Sequence, residues 1–600
     1  MDTNYRAGER IERIRARYLD EVPFISIERA RYYTEKWRET EGKGLPPGIR
    51  VSLAMKHVYE NMGHFIDPDD RIAGNWTENY LGIPIDVERG LFNTTLAVEL
   101  DSLSMLRYLL ASTFRFAKFM IRKQGLGTFI KNLRKTKAAG AATPTIGTTP
   151  MDRRGINPYR IRPGDKKELQ RHILPWWKGK TIADKLRARL EESGIYSGEL
   201  LEFIRSLSDT TSRNDTIVST GAALGTWQGH LILDHQTPLQ KGIYRMKEEI
   251  VSELKENRNL NANDAAFLES AALALEGVSI YSRRLCDALR ETLSREIDPS
   301  RKQIYRSMLA VCEKVPCHPA GTFREAVQSY WTIKTAVELA VPFNVHAPGR
   351  LDQMLYPYYE KDIREGRLSR DEARELLEEL FLKIMGHNMR PYSNFTAYFT
   401  QRYEGSEPVT LAGLTEHGND GTNELTYVML EAAARSKAAL NFVVRTHEGS
   451  PEILYMTVAE LHYNGVSSVS LMNDHTGIRA LEKRGFTRED ARDYAITGCV
   501  DMCAPGKTGG EGFSALLLSR ILDMILRNGD SMTLVGPVEK VGLQTGAPDS
   551  FENFDQLMDA FTAQAVNQIG KIDLASHIRD RLYAEELPAP FISAFMRGCF

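Results

Sequence analysis

The segment around Cys499 combines residue types that are typical of a reactive cysteine on an exposed turn. Gly498 precedes this cysteine, Pro505-Gly506 follows it, and a short apolar run that predicts a strand leads into it. Asp501, two residues further on, carries a carboxylate that is suited to proton transfer. A purely structural cysteine is the alternative, because free cysteines pack well in protein cores. The glycine and the Pro-Gly pair favour the reactive turn.

Zinc binding is a second alternative for the cysteines. Cys499 with Cys503 could supply two ligands, and Cys312 and Cys317 with His318 could supply three. Neither spacing matches the usual C-x2-C pairs, and no second matching half is present, so the sequence argues against a zinc site.

A phosphate-binding loop is a third alternative, because Gly506-Lys507-Thr508 has the ending of such a loop. The motif needs another glycine five residues before its last glycine, and Asp501 occupies that position. A carboxylate there would repel phosphate, so the motif fails.

Three short apolar runs are predicted to be strands that position these residues. They are Asn441–Arg445, Ser468–Met472 and Tyr494–Thr497. Helices are predicted between them, the first from Ser450-Pro451 to about Tyr463 and the second from a cap at Thr487. Such alternation is typical of parallel βαβ units, in which the chemistry lies beyond the carboxyl ends of the strands.

Polar or reactive residues follow each of these predicted strands. They are Arg445-Thr446-His447, Asn473-Asp474-His475 and Cys499-Val500-Asp501. We expect the three groups to converge at one edge of the sheet, with Cys499 on a loop tip of a rigid scaffold.

The N-terminal half of the chain has mostly helical patterns. Helices are predicted over Arg10–Tyr18, Ile27–Trp37, Ser52–Met62 and Asn263–Ile297. Ser369 and Glu372 form a predicted capping box before a further helix. The Pro-, Gly- and Thr-rich segment Gly140–Lys180 is predicted to be irregular.

The composition is that of an ordinary globular protein, with 42% hydrophobic and 26% charged residues and a net charge of −2. This balance indicates neither a nucleic acid nor a membrane as a partner. No run approaches the roughly 18 apolar residues of a membrane span, and no signal peptide is recognisable. Six cysteines in 600 residues do not form a disulfide framework, so the cytoplasm is the expected compartment.

The run from Tyr494 to Thr508 resembles the cysteine loop of glycyl-radical enzymes, the pyruvate formate-lyase-like superfamily, whose common form is Gly-Cys-Val-Glu followed by Pro-Gly-Lys. The resemblance extends from about Arg10 to Phe600. Other stretches that resemble the family are Glu28–Arg31, Gly229-His230 with Leu239 and Gly242, Pro348–Gln353 with Leu355–Tyr359, and Asp420–Tyr427.

The resemblance implies an α/β fold, a ten-stranded barrel of the pyruvate formate-lyase type with a helical N-terminal part. It implies that Cys499 carries a thiyl radical that abstracts hydrogen from a small organic substrate. The radical is stored on a glycine and installed by a radical-SAM activating enzyme, so no permanently bound cofactor and no metal are expected.

One departure from the family concerns that glycine. Its loop has the form Arg-Val-x-Gly-Tyr, which does not occur in these 600 residues. We therefore expect one domain over 1–600, helix-rich to about 340 and carrying half-barrel strands and the cysteine loop over 341–600, without the glycine-radical domain. A truncated sequence, a split enzyme with the glycine on a second chain, and an inactive fragment or interaction protein are the three explanations.

A second departure is Asp501, where many dehydratases and lyases of the family carry glutamate as general acid/base. Asp501 is expected to be catalytic or only structural. Cys503 is expected to pack rather than to react, because Val500, and not a second cysteine, follows Cys499.

The reaction is predicted to be hydrocarbon addition to fumarate, as in alkyl- and benzylsuccinate synthases. The basis is the segment Gly74–Glu78 with Leu81–Asp86, which resembles those members. Arylacetate decarboxylation and dehydratase- or lyase-type chemistry are the alternatives. Fumarate would need a cation cluster, for which Lys507, Arg520 and Arg445 are candidates.

Asn344 and His346 are predicted substrate-binding residues, because they precede Pro348 at the predicted end of a barrel strand. A histidine satisfied within the core is the alternative for His346. A homodimer or larger oligomer is also expected.

Overall fold

The computed structural model describes residues 5–128, 130–131, 149–196, 198–206, 215–225, 229–344, 346–390, 402–403, 405, 407–509, 514–533 and 536–597. Helices dominate the first half of the chain, as predicted. They are α1 Glu9–Asp20, α2 Glu28–Glu39, α3 Pro47–Asn61, α4 Asn93–Val98, α5 Ser102–Gln124, α6 Pro163–Glu168, α7 Leu174–Trp177, α8 Ile182–Glu192, α9 Gly198–Ser206, α10 Gln236–Lys241, α11 Ile243–Glu256, α12 Ala262–Arg295, α13 Pro299–Lys314 and α14 Phe323–Ala340.

The second half alternates helices with strands. Its helices are α15 Leu351–Arg364, α16 Arg370–His387, α17 Glu424–Ser436, α18 Glu452–Tyr463, α19 Asp474–Lys483, α20 Arg488–Arg492, α21 Leu518–Ile525, α22 Phe554–Glu586 and α23 Pro590–Ser593. The strands of the whole chain are β1 Phe24–Ser26, β2 Gly82–Pro84, β3 Asp215–Ser219, β4 Ala222–Gly225, β5 Val409–Ala412, β6 Phe442–Thr446, β7 Val469–Asn473, β8 Ala495–Thr497, β9 Asp501–Cys503, β10 Ser514–Leu516, β11 Ser531–Thr533 and β12 Gly536–Val538.

Helix α3 lies along the long helix α12 in the largest core of the protein. Gly277 makes this approach possible, because a Cβ atom there would lie only 3.2 Å from the rings of Tyr59 and Phe591. Ala54, Val58 and neighbouring apolar residues of both helices are completely buried. No helix in the described part of the chain is both long and apolar enough to cross a bilayer.

Strands β5, β6 and β7 form a parallel sheet, which confirms the predicted βαβ arrangement for the first two predicted strands. The third predicted strand differs. Residues Ala495–Thr497 pair antiparallel with Asp501–Cys503, so β8 and β9 form a hairpin instead of extending the parallel sheet. The apolar run was recognisable, but its partner strand follows after only three residues, which periodicity does not reveal. The ten-stranded barrel itself stays a prediction.

Two predictions about the helices need correction. Within Gly140–Lys180, residues Pro163–Trp177 are helical and include a π-turn at Leu169–Ile173, because Pro163 is favourable in a first helical turn. Pro451, and not Ser450, is the N-cap of α18. The capping box of Ser369 with Glu372 and the cap at Thr487 are confirmed.

A buried arginine joins α2 to the C-terminal end of α14. The guanidinium of Arg29 donates to both carboxylate oxygens of Glu88, at 2.5 and 3.0 Å. It also donates to the backbone oxygens of Leu339 and Ala340, at 2.6 and 3.0 Å. Both charged side chains are almost completely excluded from water.

We therefore expect Arg29→Met to lower the free energy of unfolding by about 3–5 kcal/mol, because Glu88 would stay buried without its partner. Urea unfolding measures the change. Arg31→Met is the matched control, since Arg31 pairs with Glu168 near the surface and its loss should cost no more than about 1 kcal/mol. Equal losses in the two variants would contradict the role of burial.

Candidate functional site

Cys499 lies at the tip of the β8–β9 hairpin. Thr497 and Asp501 are paired across the hairpin, so residues 498–500 form its turn. Cys499 and Val500 are exposed, whereas the four other described cysteines are buried. The hairpin thus places Cys499 on an exposed loop tip, as the sequence predicts.

Gly498 allows the hairpin to approach His230. Its φ is +59°, and a Cβ atom there would lie 2.5 Å from Cε1 and 2.7 Å from Nδ1 of the His230 ring. Real Cβ atoms do not approach so closely, and L-residues rarely adopt this φ. Glycine is therefore required here both by the backbone conformation and by the imidazole that packs on it.

Asp501 faces the same imidazole. Its Oδ2 lies 2.5 Å from Nδ1 of His230, with 55% of the Asp501 side chain and 24% of the His230 side chain exposed. His230 itself has a φ of +56°. Left-handed backbone in a residue other than glycine costs about 1–3 kcal/mol and is concentrated at functional sites. The hairpin thus brings a thiol, a carboxylate and an imidazole to one place.

Residues 231–234 hold the far side of the hairpin. The backbone N–H of Gly506 donates to Ile232 O at 2.8 Å, and Leu231 forms single bridges with Gly509 and His346. Cys503 is buried, and its Sγ lies 3.6 Å from the backbone oxygen of His230. This placement agrees with the packing role predicted for Cys503.

A buried ion pair fixes the base of the hairpin. Arg445, at the end of β6, contacts Asp474, at the start of α19, with Nε–Oδ1 and Nη2–Oδ2 distances of 2.7 and 3.0 Å. The same guanidinium donates to the backbone oxygens of Arg492 and Tyr494, both at 2.7 Å. The Tyr494 hydroxyl donates to Asp474 Oδ1 at 2.9 Å. Strand β8 begins directly after Tyr494, so this pair sets the direction in which Cys499 is presented.

The cations considered for a fumarate site do not converge. Arg445 is completely buried in its pair with Asp474. Lys507 pairs with Asp490, and Arg520 donates to the backbone oxygen of Met532 at 2.6 Å. Each of the three therefore has a local structural role.

Asn344 and His346 lie in the interior, but no strand of the described residues ends here, because His346 forms only a single bridge with Leu231. Both are buried, and the polar atoms of both side chains lack a hydrogen-bond partner among the described residues. Burial lowers the pKa of His346 well below its ordinary value, and Lys334 and His235 lower it further, so the imidazole is neutral. Among the described residues, the imidazole of His346 and the amide of Asn344 are thus buried without a hydrogen-bond partner, and their binding of substrate stays a prediction.

Lys334 positions His346 through its backbone. The ammonium donates to His346 O at 2.7 Å and to Glu407 Oε2 at 2.6 Å, and it also contacts Glu338. His387 shares Glu338, with an Nδ1–Oε2 distance of 2.6 Å, and stacks on Trp76. All these polar groups are buried. The segment Gly74–Glu78 thus supports the interior network through Trp76.

The zinc and phosphate alternatives find no support in the geometry. Over the described ranges, no three His, Cys, Asp or Glu side chains are grouped so that they could hold a metal ion. In the Gly506–Thr508 segment, the Thr508 hydroxyl accepts from Ala504 N at 2.9 Å, which closes a turn.

His230 is the site residue that sequence reasoning did not assign. Gly229-His230 was recognised as part of the family resemblance, but without a role. Its 271-residue separation from Asp501 leaves no local signal that the two side chains meet.

The buried carboxyl group of Glu407 should make the free energy of unfolding depend on pH. Burial raises its pKa from the ordinary 4.5 to about 7, against the opposing effect of Lys334. The folded state therefore holds this proton more tightly than the unfolded state, and the resulting stability is complete below about pH 4.5 and is lost as the pH rises towards 7. The free energy of unfolding of wild type minus that of Glu407→Gln should thus decrease from pH 5 to pH 8 in urea titrations. A difference that stays constant or increases would contradict this assignment.

Loss of the ion pair at the base of the hairpin should expose Cys503 selectively. In a Cys499→Ser, Cys599→Ser background, Arg445→Met should accelerate alkylation of Cys503, because the base of the hairpin loses its anchor while Asp474 stays buried and unpaired. Peptide mapping by mass spectrometry would compare Cys503 with Cys286 and Cys312, which lie in a separate core. Arg435→Met, which removes an ion pair on the helices with Glu378, is the control. Equal acceleration at all buried cysteines would contradict a local effect.

A family model for pyruvate formate lyase-like proteins matches residues 3–108 and 110–600. The isethionate sulfite-lyase of Nitratidesulfovibrio vulgaris is 28% identical over 612 residues, which cover 99% of this chain and 65% of the relative. The trans-4-hydroxy-L-proline dehydratase of Clostridioides difficile is 25% identical over 600 residues, covering 98% of this chain and 66% of the relative. The chain thus spans about two thirds of the length of these relatives.

A solved structure concerned with 1,2-propanediol dehydration in Roseburia inulinivorans has the same fold. Its TM-score is 0.80 at 26% sequence identity, and the match covers 100% of this chain and 67% of that one. The predicted family and fold class are thereby confirmed. The chain belongs to the pyruvate formate lyase-like family, as the cysteine hairpin and the fold together indicate.

Proposed function

We propose that this chain is the catalytic body of a glycyl-radical lyase or dehydratase, in which Cys499 abstracts hydrogen from a small organic substrate. The observation that carries the proposal is the 2.5 Å contact between Asp501 and His230, directly beside the cysteine. Elimination of water or another small leaving group needs a base for one proton and an acid for another. A contacting carboxylate and imidazole can supply both.

The substrate carries a hydroxyl on one carbon and a leaving group on the next. The sulfur of Cys499, as a thiyl radical, takes the hydrogen atom from the hydroxyl-bearing carbon, so that an S–H bond forms and a C–H bond breaks. Asp501 accepts the hydroxyl proton. The leaving group departs with its bonding electrons and receives a proton from His230.

The remaining steps restore the site. The S–H bond of Cys499 returns its hydrogen atom to the carbon radical, which leaves a carbonyl product and the protonated leaving group. Asp501 then releases that proton to solvent and His230 regains a proton from solvent, since both side chains are partly exposed. Overall, HO–CHR–CH2–X becomes O=CR–CH3 and HX, and no electron is gained or lost.

Asn344 and His346 would bind oxygen atoms of the substrate. Their buried polar atoms have no partner among the described residues, which costs about 1–3 kcal/mol for each group until a ligand satisfies it. Phe343, next to Asn344, has a φ of +66°, so this segment also carries local strain. A neutral His346 can either donate or accept a hydrogen bond.

The radical itself would be stored on a glycine in an Arg-Val-x-Gly-Tyr segment and installed by a radical-SAM activating enzyme. Residues 1–600 would form one domain, helix-rich over 1–340 and bearing the strands and the cysteine hairpin over 341–600.

Hydrocarbon addition to fumarate receives no support as the reaction. The three candidate cations each have structural partners, and the relatives named above are a lyase and dehydratases. An arylacetate decarboxylase stays the alternative within the same radical class, since it would also use Cys499.

The test uses the chain produced anaerobically with a radical-SAM activase and with an Arg-Val-x-Gly-Tyr segment, either continuous with it or on a second chain. Cys499→Ser should keep the organic radical signal in electron paramagnetic resonance but abolish turnover. Asp501→Asn and His230→Gln should each lower kcat by about 10²–10⁴-fold with the signal intact, because each removes a proton-transfer group.

Small diols, hydroxyalkylsulfonates, hydroxyproline and arylacetates would be assayed for carbonyl product, leaving group or CO2. Cys503→Ser is the matched control and should keep turnover. Sustained turnover by Cys499→Ser would refute the radical role, and CO2 release from an arylacetate alone would replace the lyase by a decarboxylase.

A further inference from the structure

Helix α5, Ser102–Gln124, presents an apolar stripe to solvent. Leu103, Leu106, Leu110 and Phe114 follow one another at intervals of three, four and four residues, which places them on one face of the helix. The exposed fractions of these four residues are 56%, 53%, 63% and 72%. Single exposed apolar residues are ordinary, but several large ones side by side mark a surface that binds another apolar surface.

The opposite face of α5 is anchored in the protein. Met105 and Phe119 are buried, and the Phe119 ring packs against Phe203 of α9 with 6.2 Å between the ring centroids. The ammonium of Lys123 also pairs with Glu199 in the first turn of α9. Because this face is held by the core, the apolar stripe has a fixed outward direction.

The charged residues of α5 and of the seven residues after it are all basic. Residues 102–131 contain no aspartate and no glutamate. Their cationic side chains belong to Arg107, Arg115, Lys118, Arg122, Lys123 and Lys131. The net charge of −2 averages over the whole chain, so the composition does not reveal this local excess of positive charge.

Three of these cations lie along one flank of the apolar stripe. With 3.6 residues per turn, Arg107, Lys118 and Arg122 follow the same edge of the stripe, and all three are exposed. Arg122 has a carboxylate partner in Glu202, at 3.3 Å and also exposed. Within the described part of the chain, Arg107 and Lys118 form no ion pair. The row of cations is therefore available to an anionic surface.

An anionic bilayer matches this combination of an apolar stripe and a basic flank. Helices of this type lie in the plane of the membrane interface, where the apolar side chains enter the acyl boundary and Lys and Arg contact the headgroups. A second copy of α5 would bring no carboxylate to the cations, because residues 102–131 have none. Partner proteins usually bind an amphipathic helix in a groove, whereas this stripe is a ridge on the surface of the protein.

We propose that α5 docks the protein on the surface of a membrane that contains anionic phospholipids. Leu103, Leu106, Leu110 and Phe114 enter the boundary between headgroups and acyl chains, and the basic flank contacts lipid phosphates. The helix lies on the bilayer and does not cross it. The docking is independent of the proposed radical chemistry, since no residue of the cysteine hairpin takes part in it and it can be tested without activation.

The experiment is flotation of the 600-residue chain with vesicles of phosphatidylcholine, either alone or mixed with an equal amount of phosphatidylglycerol. We expect binding to the mixed vesicles to be about tenfold or more tighter than to phosphatidylcholine, because several cations approach the anionic surface. The difference should shrink as the salt concentration rises. Failure of the chain to bind the mixed vesicles, or equal binding to both kinds of vesicle, would overturn the proposal.

Two pairs of substitutions separate the apolar and the electrostatic contributions. Leu110→Gln with Phe114→Gln should weaken binding to the mixed vesicles about tenfold or more, because apolar area no longer leaves water. Arg107→Gln with Lys118→Gln should weaken it to a similar extent, about tenfold, and should also reduce its dependence on salt. Wild-type affinity in either double variant would contradict docking through α5.

Helix α18 offers a matched control for the apolar pair. Ile453 and Met456 are 56% and 59% exposed, but their neighbours on this helix are Glu452 and Glu460 in place of cations. Ile453→Gln with Met456→Gln should therefore leave vesicle binding unchanged. All the substitutions are on exposed side chains, so the thermal midpoint of each variant without vesicles should equal that of wild type.

Sedimentation velocity tests the alternative that a second copy covers the stripe. We expect Leu110→Gln with Phe114→Gln to leave the oligomeric state unchanged. If these substitutions dissociate a dimer, α5 is a subunit interface and the membrane proposal is wrong. Neither result bears on the role of Cys499, which is tested by turnover and by the radical signal.

Discussion

Two opposite charges, Arg445 and Asp474, are completely buried at the base of the cysteine hairpin. Removing each from water costs several kcal/mol, and their attraction offsets this only with good geometry and further hydrogen bonds. Both conditions are met, because the guanidinium also donates to two backbone oxygens at the start of β8 and the carboxylate also accepts from the Tyr494 hydroxyl. Since neither charge can be left alone, the sheet, α19 and the hairpin hold one mutual arrangement.

The chemistry at the hairpin tip follows from that arrangement. Gly498 has room for no side chain because His230 lies against it, and the same closeness brings His230 within 2.5 Å of Asp501. The thiol of Cys499, the carboxylate of Asp501 and the imidazole of His230 thus lie at one end of the hairpin. In the interior, Lys334 fixes the backbone at His346, while the side chains of Asn344 and His346 have polar atoms that none of the described residues satisfies. Unsatisfied polar groups are tolerated where a ligand is to be bound.

Short-range sequence patterns predicted the helices, caps and strands whose formation depends on neighbouring residues. The long helix, the capping box at Ser369 and the strands over 442–446 and 469–473 were all recognisable, because each rests on a spacing of two to four residues. The helical turns over Pro163–Trp177 were missed where a composition rich in proline and glycine dominated the interpretation. Arg445 is predicted to be a possible substrate cation, because the sequence shows its charge but does not show that Asp474 pairs with it.

The sequence by itself determined the family and predicted the turn that carries Gly498 and Cys499, since these residues lie in one contiguous motif of distinctive composition. Only the tertiary structure decided that β8 turns back on β9, that Arg445 is structural, and that His230 joins Asp501 across 271 residues of chain. The physical reason is that proton transfer and charge compensation depend on distances of a few ångströms. Such distances between remote residues arise only when the whole chain packs.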